Sequence, residues 1–147
     1  MDYVVFERFG ELKKFFIEYA NRDDLLLIAE LVEDMAGFSF FFQWLSDKDS
    51  QPLEMSTNSC YIEKQGYWVE VQDLYGGDTA CIAKLPLNEL VKIFIQWEKL
   101  KNEEVKYICI LCEGLTYSVK GYADGDPFIT EIMQKHKDDK TIVRFNR

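Results

Sequence analysis

Residues 87–121 decide the fold, and they read LNELVKIFIQWEKLKNEEVKYICILCEGLTYSVKG. Apolar side chains recur every three or four positions over residues 87–100, which is the spacing of one helix face. Pro86 precedes them, at a point where a helix can begin without losing a hydrogen bond. The pattern predicts a central helix that packs Phe94 and Trp97 against the core.

The residues after this helix predict a buried strand and a hairpin. Residues 107–112, YICILC, are apolar at every position, which is typical of a strand covered on both faces. A turn at Glu113-Gly114 would return the chain and pair Ile110 with Tyr117. The stretch as a whole therefore predicts an α+β core.

The first third of the chain mixes helical and strand-like signals. Helical spacing over residues 6–20 predicts a first helix, and a second would start at Asp23 or Asp24 and stop at Gly37. Residues 38–45, FSFFFQWL, favour a strand because aromatic side chains suit sheets. A helix through this segment is the alternative.

A second hairpin is predicted in the middle of the chain. Residues 60–72 would turn at Gln65-Gly66 and pair Ile62 with Val69, which places an apolar face on the core. The other face of this hairpin then carries Tyr61, Glu63, Trp68, Glu70 and Gln72.

Three further elements complete the predicted fold. Residues 79–83 form a short strand ahead of the central helix, and Asp126-Pro127 begins a C-terminal helix with a cap and a first-turn proline. Residues 141–145 form a closing strand. We expect one α+β domain over residues 1–147, a mainly antiparallel sheet packed with N-terminal helices, a central helix and a C-terminal helix.

The charge of the chain bounds its partners. It has 26 acidic and 17 basic residues, a formal net charge of -9. Nucleic acid is excluded as an expected partner, because binding it requires a basic surface that neutralises phosphates. Aromatic residues make up 15% of the sequence, which is more than an acidic disordered tail would carry. The composition favours a folded protein with a basic protein partner.

The N-terminal sequence and the cysteines indicate a compartment. Residues 1–10 contain Asp2 and Glu7 and lack the basic start of a signal peptide. Apolar runs stay well below the roughly 18 residues of a membrane span. Cysteines occur only in strand-like segments, as expected for reduced, buried thiols. We expect a cytoplasmic protein without a membrane segment.

The sequence contains few groups that could carry chemistry. Cys109 and Cys112 match C-x-x-C, but residues three apart in a strand point to opposite faces, so neither redox nor zinc chemistry is expected. His136, the one histidine, lies among charged residues at a predicted helix end. Residues 75–78, YGGD, lack a P-loop lysine. We expect no catalytic residue, no metal and no cofactor.

The outer face of the middle hairpin is the predicted binding surface. It mixes aromatic and acidic side chains, a combination typical of protein interfaces. With the neighbouring loops, the predicted partner-binding residues are Tyr61, Glu63, Trp68, Glu70, Asp73, Tyr75, Asp78, Asp47 and Asp49. The alternative is that a helix covers this face and buries the aromatic rings.

Three segments resemble a known class of protein. These are LPLNEL at residues 85–90, WEKL at residues 97–100 and YICIL at residues 107–111. Together with the order of elements, they resemble the small acidic immunity proteins of bacterial contact-dependent inhibition and other polymorphic toxin systems. The resemblance implies a cytoplasmic partner that binds a toxin domain, often a basic nuclease, and blocks its active site.

Two other classes of function remain open at this point. An intracellular adaptor or regulatory module that binds another protein would explain the same acidity. A small enzyme would need a cleft in which a pair such as Glu63 and Glu70 acts together. We expect a non-enzymatic, monomeric immunity protein.

Overall fold

Two four-stranded antiparallel sheets and four helices make up residues 1–10, 14–76 and 81–138, which the computed structural model describes. In chain order these elements are β1 (Asp2–Phe9), β2 (Lys14–Ala20), α1 (Asp23–Met35), α2 (Ser39–Ser46), β3 (Glu54–Ser56), β4 (Cys60–Gln65), β5 (Trp68–Asp73), β6 (Ile82–Pro86), α3 (Leu87–Leu100), β7 (Tyr107–Glu113), β8 (Thr116–Tyr122) and α4 (Pro127–Lys135). The α+β prediction is confirmed, and the elements form a single domain.

The sheets lie on either side of a helical layer. Sheet A has the strand order β2-β1-β7-β8, and sheet B has the order β3-β4-β5-β6. The inner faces of both sheets share one apolar core with α1, α2 and α3. A second, smaller core joins the other face of sheet A to α4. Sheet A is therefore covered on both faces, whereas sheet B contributes only its inner face to a core.

The central helix is confirmed as α3. Its buried face carries Leu90, Phe94 and Trp97, as the spacing predicts. The Trp97 ring meets Phe6 of β1 edge-on at 4.6 Å and Phe15 of β2 at 5.6 Å between centroids. Trp97 thus joins α3 to the two strands of sheet A that are furthest from it in sequence.

Strand β7 is buried on both faces, as predicted from its unbroken apolar run. Cys112 lies in the core shared by the two sheets, whereas Cys109 lies in the core under α4. The two thiols therefore point to opposite faces of sheet A. Both are buried and reduced.

The predicted N-terminal helix is wrong. Residues 2–20 instead contain β1 and β2, which pair in an antiparallel register that brings Phe6 opposite Ile17. Strand β1 also pairs with β7 along its length. Tertiary pairing overrides the helical spacing here, because β7 needs a partner strand on each edge to satisfy its backbone groups.

The predicted strand at residues 38–45 is also wrong, and the helical alternative is correct. Helix α2 buries Phe41, Trp44 and Leu45, which are spaced as one helix face, and leaves Phe38 and Phe40 exposed. Aromatic content alone favoured a strand. The segment instead forms a helix that packs on α3 within the helical layer, with Phe41 against Phe94.

Both predicted hairpins exist, with registers that differ from the prediction by two residues. Ile62 pairs with Val71 rather than Val69, and Ile110 pairs with Val119 rather than Tyr117. Each loop starts at its glycine, and these glycines have φ of 68° and 62°. The first position of a two-residue hairpin loop has positive φ, which glycine adopts at little cost, whereas Gln65 or Glu113 would be strained there. The faces of each hairpin are unchanged.

The remaining predictions have mixed outcomes. Helices α1 and α4 are confirmed, and the Asp126 side chain caps α4 by accepting the Phe128 N–H at 2.9 Å. Strand β6 spans Ile82–Pro86 and includes the end of the strand predicted over residues 79–83, of which residues 79 and 80 lie outside the described residues. The predicted strand at residues 141–145 lies outside the described residues. None of the described helices has the length and hydrophobicity that crossing a bilayer would require.

We predict that Trp97→Ala lowers the free energy of unfolding by roughly 3 to 5 kcal/mol, because it leaves a cavity between α3 and sheet A. Trp68→Ala is the matched control, since Trp68 is 37% exposed and Trp97 only 6%. It should lower the free energy by much less. Urea denaturation measures both, and equal losses would contradict this packing of α3.

We further predict that the buried thiols resist modification and limit stability at high pH. Burial raises the pKa of Cys109 from an ordinary 9.0 to about 12. A group with a raised folded pKa stabilises the fold below its unfolded pKa and loses that contribution as pH rises from about 9 to about 12. Cys109→Ala should flatten the loss of stability in this window. Rapid native-state labelling of Cys109, or stoichiometric zinc in the purified protein, would contradict the assignment.

Candidate protein-binding face

The outer face of sheet B is a regular array of side chains. The pairing registers place Glu54 of β3 beside Glu63 of β4, and Glu63 beside Glu70 of β5. Lys84 of β6 follows Glu70 in the same line. We call Glu54, Glu63 and Glu70 the glutamate row. It runs across the strands, so its members repeat at the interstrand distance of about 4.8 Å.

Aromatic and apolar side chains flank the glutamate row on both sides. Toward the β4–β5 turn, Trp68 lies between Gln65 and Pro86 in the register. On the opposite side, one line across the strands contains Ser56, Tyr61, Gln72 and Ile82. Trp68 is 37% exposed and Ile82 is exposed as well. Within the described part of the chain no helix or strand packs on this face, so the alternative of a covering helix is not supported.

The glutamate row has few partners within the fold. Glu70 accepts hydrogen bonds from Gln72 Nε2 at 2.8 Å and from Gln65 Nε2 at 3.2 Å. The Tyr61 hydroxyl donates to the Glu54 carboxylate. Glu63, in the middle, has neither a hydrogen bond nor an ion pair from its side chain to any described residue. Carboxylates directly opposite one another on a sheet repel, so this row opposes folding.

The pKa of the Tyr61 hydroxyl reflects the negative charge of the face. Its hydrogen bond to Glu54 raises the pKa of Tyr61 to about 12, and the neighbouring Glu63 and Glu70 act in the same direction. A phenolate would add a further negative charge beside the row. Tyr61 therefore stays a neutral donor at physiological pH.

Lys84 is the one cation in the line. Its Nζ lies 6.0 Å from the centre of the Trp68 ring, in the range of a weak cation–π contact, and the part of the chain that the structure describes shows no ion pair from it to Glu70. The negative charge of the row is thus left largely uncompensated. The line of carboxylates ends at Lys84.

The opposite face of the same hairpin explains why these side chains point outward. Ile62, Val69 and Val71 are fully buried in the shared core. Since successive residues of a strand point to opposite faces, their neighbours must face away from the core. Residues 54, 84 and 82 follow the same rule on β3 and β6. Alternation in residues 53–56 and 82–86 was a signal that could have added Glu54, Ile82 and Lys84 to the predicted surface.

Lys64 is an exception on the inner face. It is 2% exposed, and its ammonium donates to the carbonyls of Trp44 at 2.8 Å and Asp47 at 2.6 Å and to Ser50 Oγ at 2.7 Å. Burial lowers its pKa. This cation lies at the C-terminal end of α2, where carbonyls without an intrahelical partner carry partial negative charge, and it holds the following loop against β4.

Four other predicted site residues, Asp47, Asp49, Asp73 and Tyr75, are not brought onto the face. Asp47 and Asp49 lie in the loop held by Lys64. Asp73 ends β5 on the parity opposite to Glu70, and its carboxylate accepts the Tyr75 N–H at 2.9 Å in a turn. Tyr75 is exposed, with its hydroxyl bonded to the Asn58 carbonyl at 3.2 Å. Asp78 lies outside the described residues.

A recess of about 570 Å³ adjoins the face at the β4–β5 turn. Tyr67 and Trp68 form one side of it, and Leu87 and Val91 of α3 form the other. Tyr67 is largely exposed, with the Lys48 ammonium 5.3 Å from its ring centre. The Trp68 ring therefore borders both the glutamate row and an apolar recess.

The cysteine pair and the histidine considered for catalysis lie apart in the fold. Cys109 and Cys112 lie on opposite faces of β7, and His136 packs at the end of α4, with its Nε2 2.5 Å from the Tyr3 hydroxyl and its ring stacked on Tyr19. Across the described ranges, no cluster of His, Cys, Asp or Glu is placed to hold a metal ion. In comparisons with known proteins, no family model matches the chain, and no curated protein or solved structure matches it significantly.

We predict that Glu63→Gln raises the free energy of unfolding, by roughly 0.2 to 1 kcal/mol, because it removes two like-charge neighbours. Urea denaturation at low salt should show the gain. In about 1 M salt the gain should shrink, since screening already weakens the repulsion. A loss of stability in Glu63→Gln would mean that Glu63 makes a favourable contact, and would contradict the row as an unfavourable feature of the free protein.

Proposed function

We propose that this protein binds a basic protein partner through the outer face of sheet B, and that the partner is a toxin domain which it neutralises as a cytoplasmic immunity protein. The single observation that carries the proposal is the glutamate row: three adjacent carboxylates on an uncovered sheet face, with Glu63 lacking any partner in the described chain. A feature that opposes folding is explained if a cationic partner compensates it.

The chemistry of the face supports a two-step association. Carboxylates on a chain of net charge -9 attract a cationic partner over a distance of about a Debye length and raise the association rate. The exposed apolar side chains on either side of the row, Trp68 and Ile82, then exclude water from the contact. Trp68, beside the recess, is the residue most suited to slow dissociation, because buried aromatic side chains dominate interface energies.

The spacing of the row favours a helix as the recognised element of the partner. Basic side chains at positions i, i+3 or i+4, and i+7 of a helix lie roughly 5 to 6 Å apart. This is close to the repeat of about 4.8 Å between strands. Side chains on one face of a strand repeat at about 6.6 Å and would lose register with the row. Lys84 at the end of the row disfavours a further basic residue there.

The hypothesis that the partner is a toxin rests on the resemblance of three segments within residues 85–111 to immunity proteins of polymorphic toxin systems. A basic nuclease domain is the class of partner that the acidic face would fit best, because its substrate-binding surface is itself cationic. Covering that surface with carboxylates would keep the phosphate backbone of its substrate away.

Binding kinetics against a basic toxin domain, to be sought among the genes that neighbour this one, test the proposal. We predict that Glu70→Lys slows association and reduces its dependence on salt, because the charge lies at the contact. Glu104→Lys is the matched control: it makes the same change in net charge in the exposed turn between α3 and β7. It should slow association far less.

Trp68→Ala should act on the other rate. We predict faster dissociation and a loss of about 2 kcal/mol, roughly 30-fold in affinity, if the ring is buried at the contact. Tyr75→Ala, which removes an exposed aromatic side chain away from the face, should leave dissociation unchanged. Equal effects of all four variants would contradict the assigned face. Binding of a different protein through the same residues would replace the toxin by the partner of an adaptor.

A further inference from the structure

A second recess lies within the helical layer, away from sheet B. It is a cleft of about 270 Å³ between the end of α1, the start of α2 and the C-terminal half of α3. Its main lining residues are Met35, Phe38, Phe42, Phe94, Glu98 and Lys101. No residue of either sheet lines it, so it is distinct from the proposed binding face.

The walls of the cleft suit an aromatic ring. They contain three phenylalanine rings and a methionine thioether, groups that pack favourably against the edges and faces of aromatic rings. Phe38 lines the cleft and is exposed, whereas the aromatic side chains Phe41 and Trp44 of α2 are buried in the core. An exposed ring at the mouth of an apolar recess is typical of a binding surface.

Glu98 supplies one specific polar requirement. Its Oε2 forms an ion pair with Lys101 Nζ at 2.6 Å. Its Oε1 is buried, and no donor among the described residues reaches it. A buried acceptor without a donor is unfavourable, so a bound group that donates one hydrogen bond would be stabilised here. Because Lys101 already neutralises the carboxylate, a neutral N–H fits better than a second cation.

We propose that the cleft binds the indole ring of a tryptophan side chain from a partner protein. Indole is planar and bicyclic, a size compatible with a cleft of about 270 Å³, and it carries one N–H donor and no acceptor. Glu98 lines the cleft and its side chain as a whole is 43% exposed, so a rotation of the carboxylate would bring the otherwise buried Oε1 to that N–H. This inference does not depend on the function proposed for sheet B.

Two probes that differ only at the donor test the inference. N-acetyl-tryptophanamide and its 1-methylindole analogue would be titrated into the full chain and followed by amide chemical shifts. We expect saturable binding at the cleft, with the methylated probe roughly tenfold weaker because it cannot donate to Glu98.

Variants identify the groups responsible. Glu98→Met should remove the difference between the probes, whereas Glu104→Met, the same change in an exposed turn, should preserve it. Phe38→Ala should weaken both probes, and Leu115→Ala, which shortens an exposed apolar side chain in the β7–β8 loop, should weaken neither.

Three results with the two probes would overturn the inference. These are the absence of saturable binding by either probe, equal affinity of the two probes for the unmodified protein, and persistence of the difference in Glu98→Met. Free indole that binds while N-acetyl-tryptophanamide does not would also overturn it, since the cleft would then accept a small molecule and not a side chain. The comparison of probes on the unmodified protein decides the matter even if a variant fails to fold.

Discussion

The proposed binding face depends on one constraint, the pleat of sheet B, which points successive side chains to opposite faces. Ile62, Val69 and Val71 must enter the shared core, and the period of two along a strand then forces Glu63 and Glu70 outward. Register completes the arrangement, because antiparallel pairing sets the carboxylates side by side across neighbouring strands. A charge pattern that looks scattered in the sequence becomes a row in the fold. Hydrophobic burial on one face therefore positions the polar groups on the other.

The two sheets differ in how far they are covered. Sheet A is covered on both faces, by the shared core and by α4, and its strand β7 is buried from Tyr107 to Cys112. Sheet B leaves its outer face to solvent in the described chain. Repulsion within the glutamate row is tolerable because the inner face of the same strands is anchored in the core. The buried Lys64 adds to this anchoring by tying the loop after α2 to β4. The fold can thus remain stable although the charges on the outer face of sheet B oppose folding.

Sequence patterns predicted the elements whose local signals agree with their tertiary setting. Helix α3 has a wide apolar stripe, and β7 is apolar throughout, so both were predicted correctly. The paired strands β1 and β2 were predicted as a helix because spacing within one segment cannot report a partner about one hundred residues away. Five face residues, Tyr61, Glu63, Trp68, Glu70 and Gln72, were predicted because alternation in β4 and β5 is local. Glu54 and Lys84 were missed, since their place in the row depends on pairing between strands. The cleft at Glu98 required the packing of three helices.

Carboxylate footprinting of the free and partner-bound protein would show whether the glutamate row lies at the contact. Carbodiimide coupling of an amine, followed by mass spectrometry, reports the accessibility of each glutamate. We expect Glu54, Glu63 and Glu70 to react in the free protein and to become protected together when the basic partner binds, while Glu103 and Glu104 react equally in both states. Unchanged reactivity of the row in a saturated complex would contradict the account, as would a row that is already protected in the free protein.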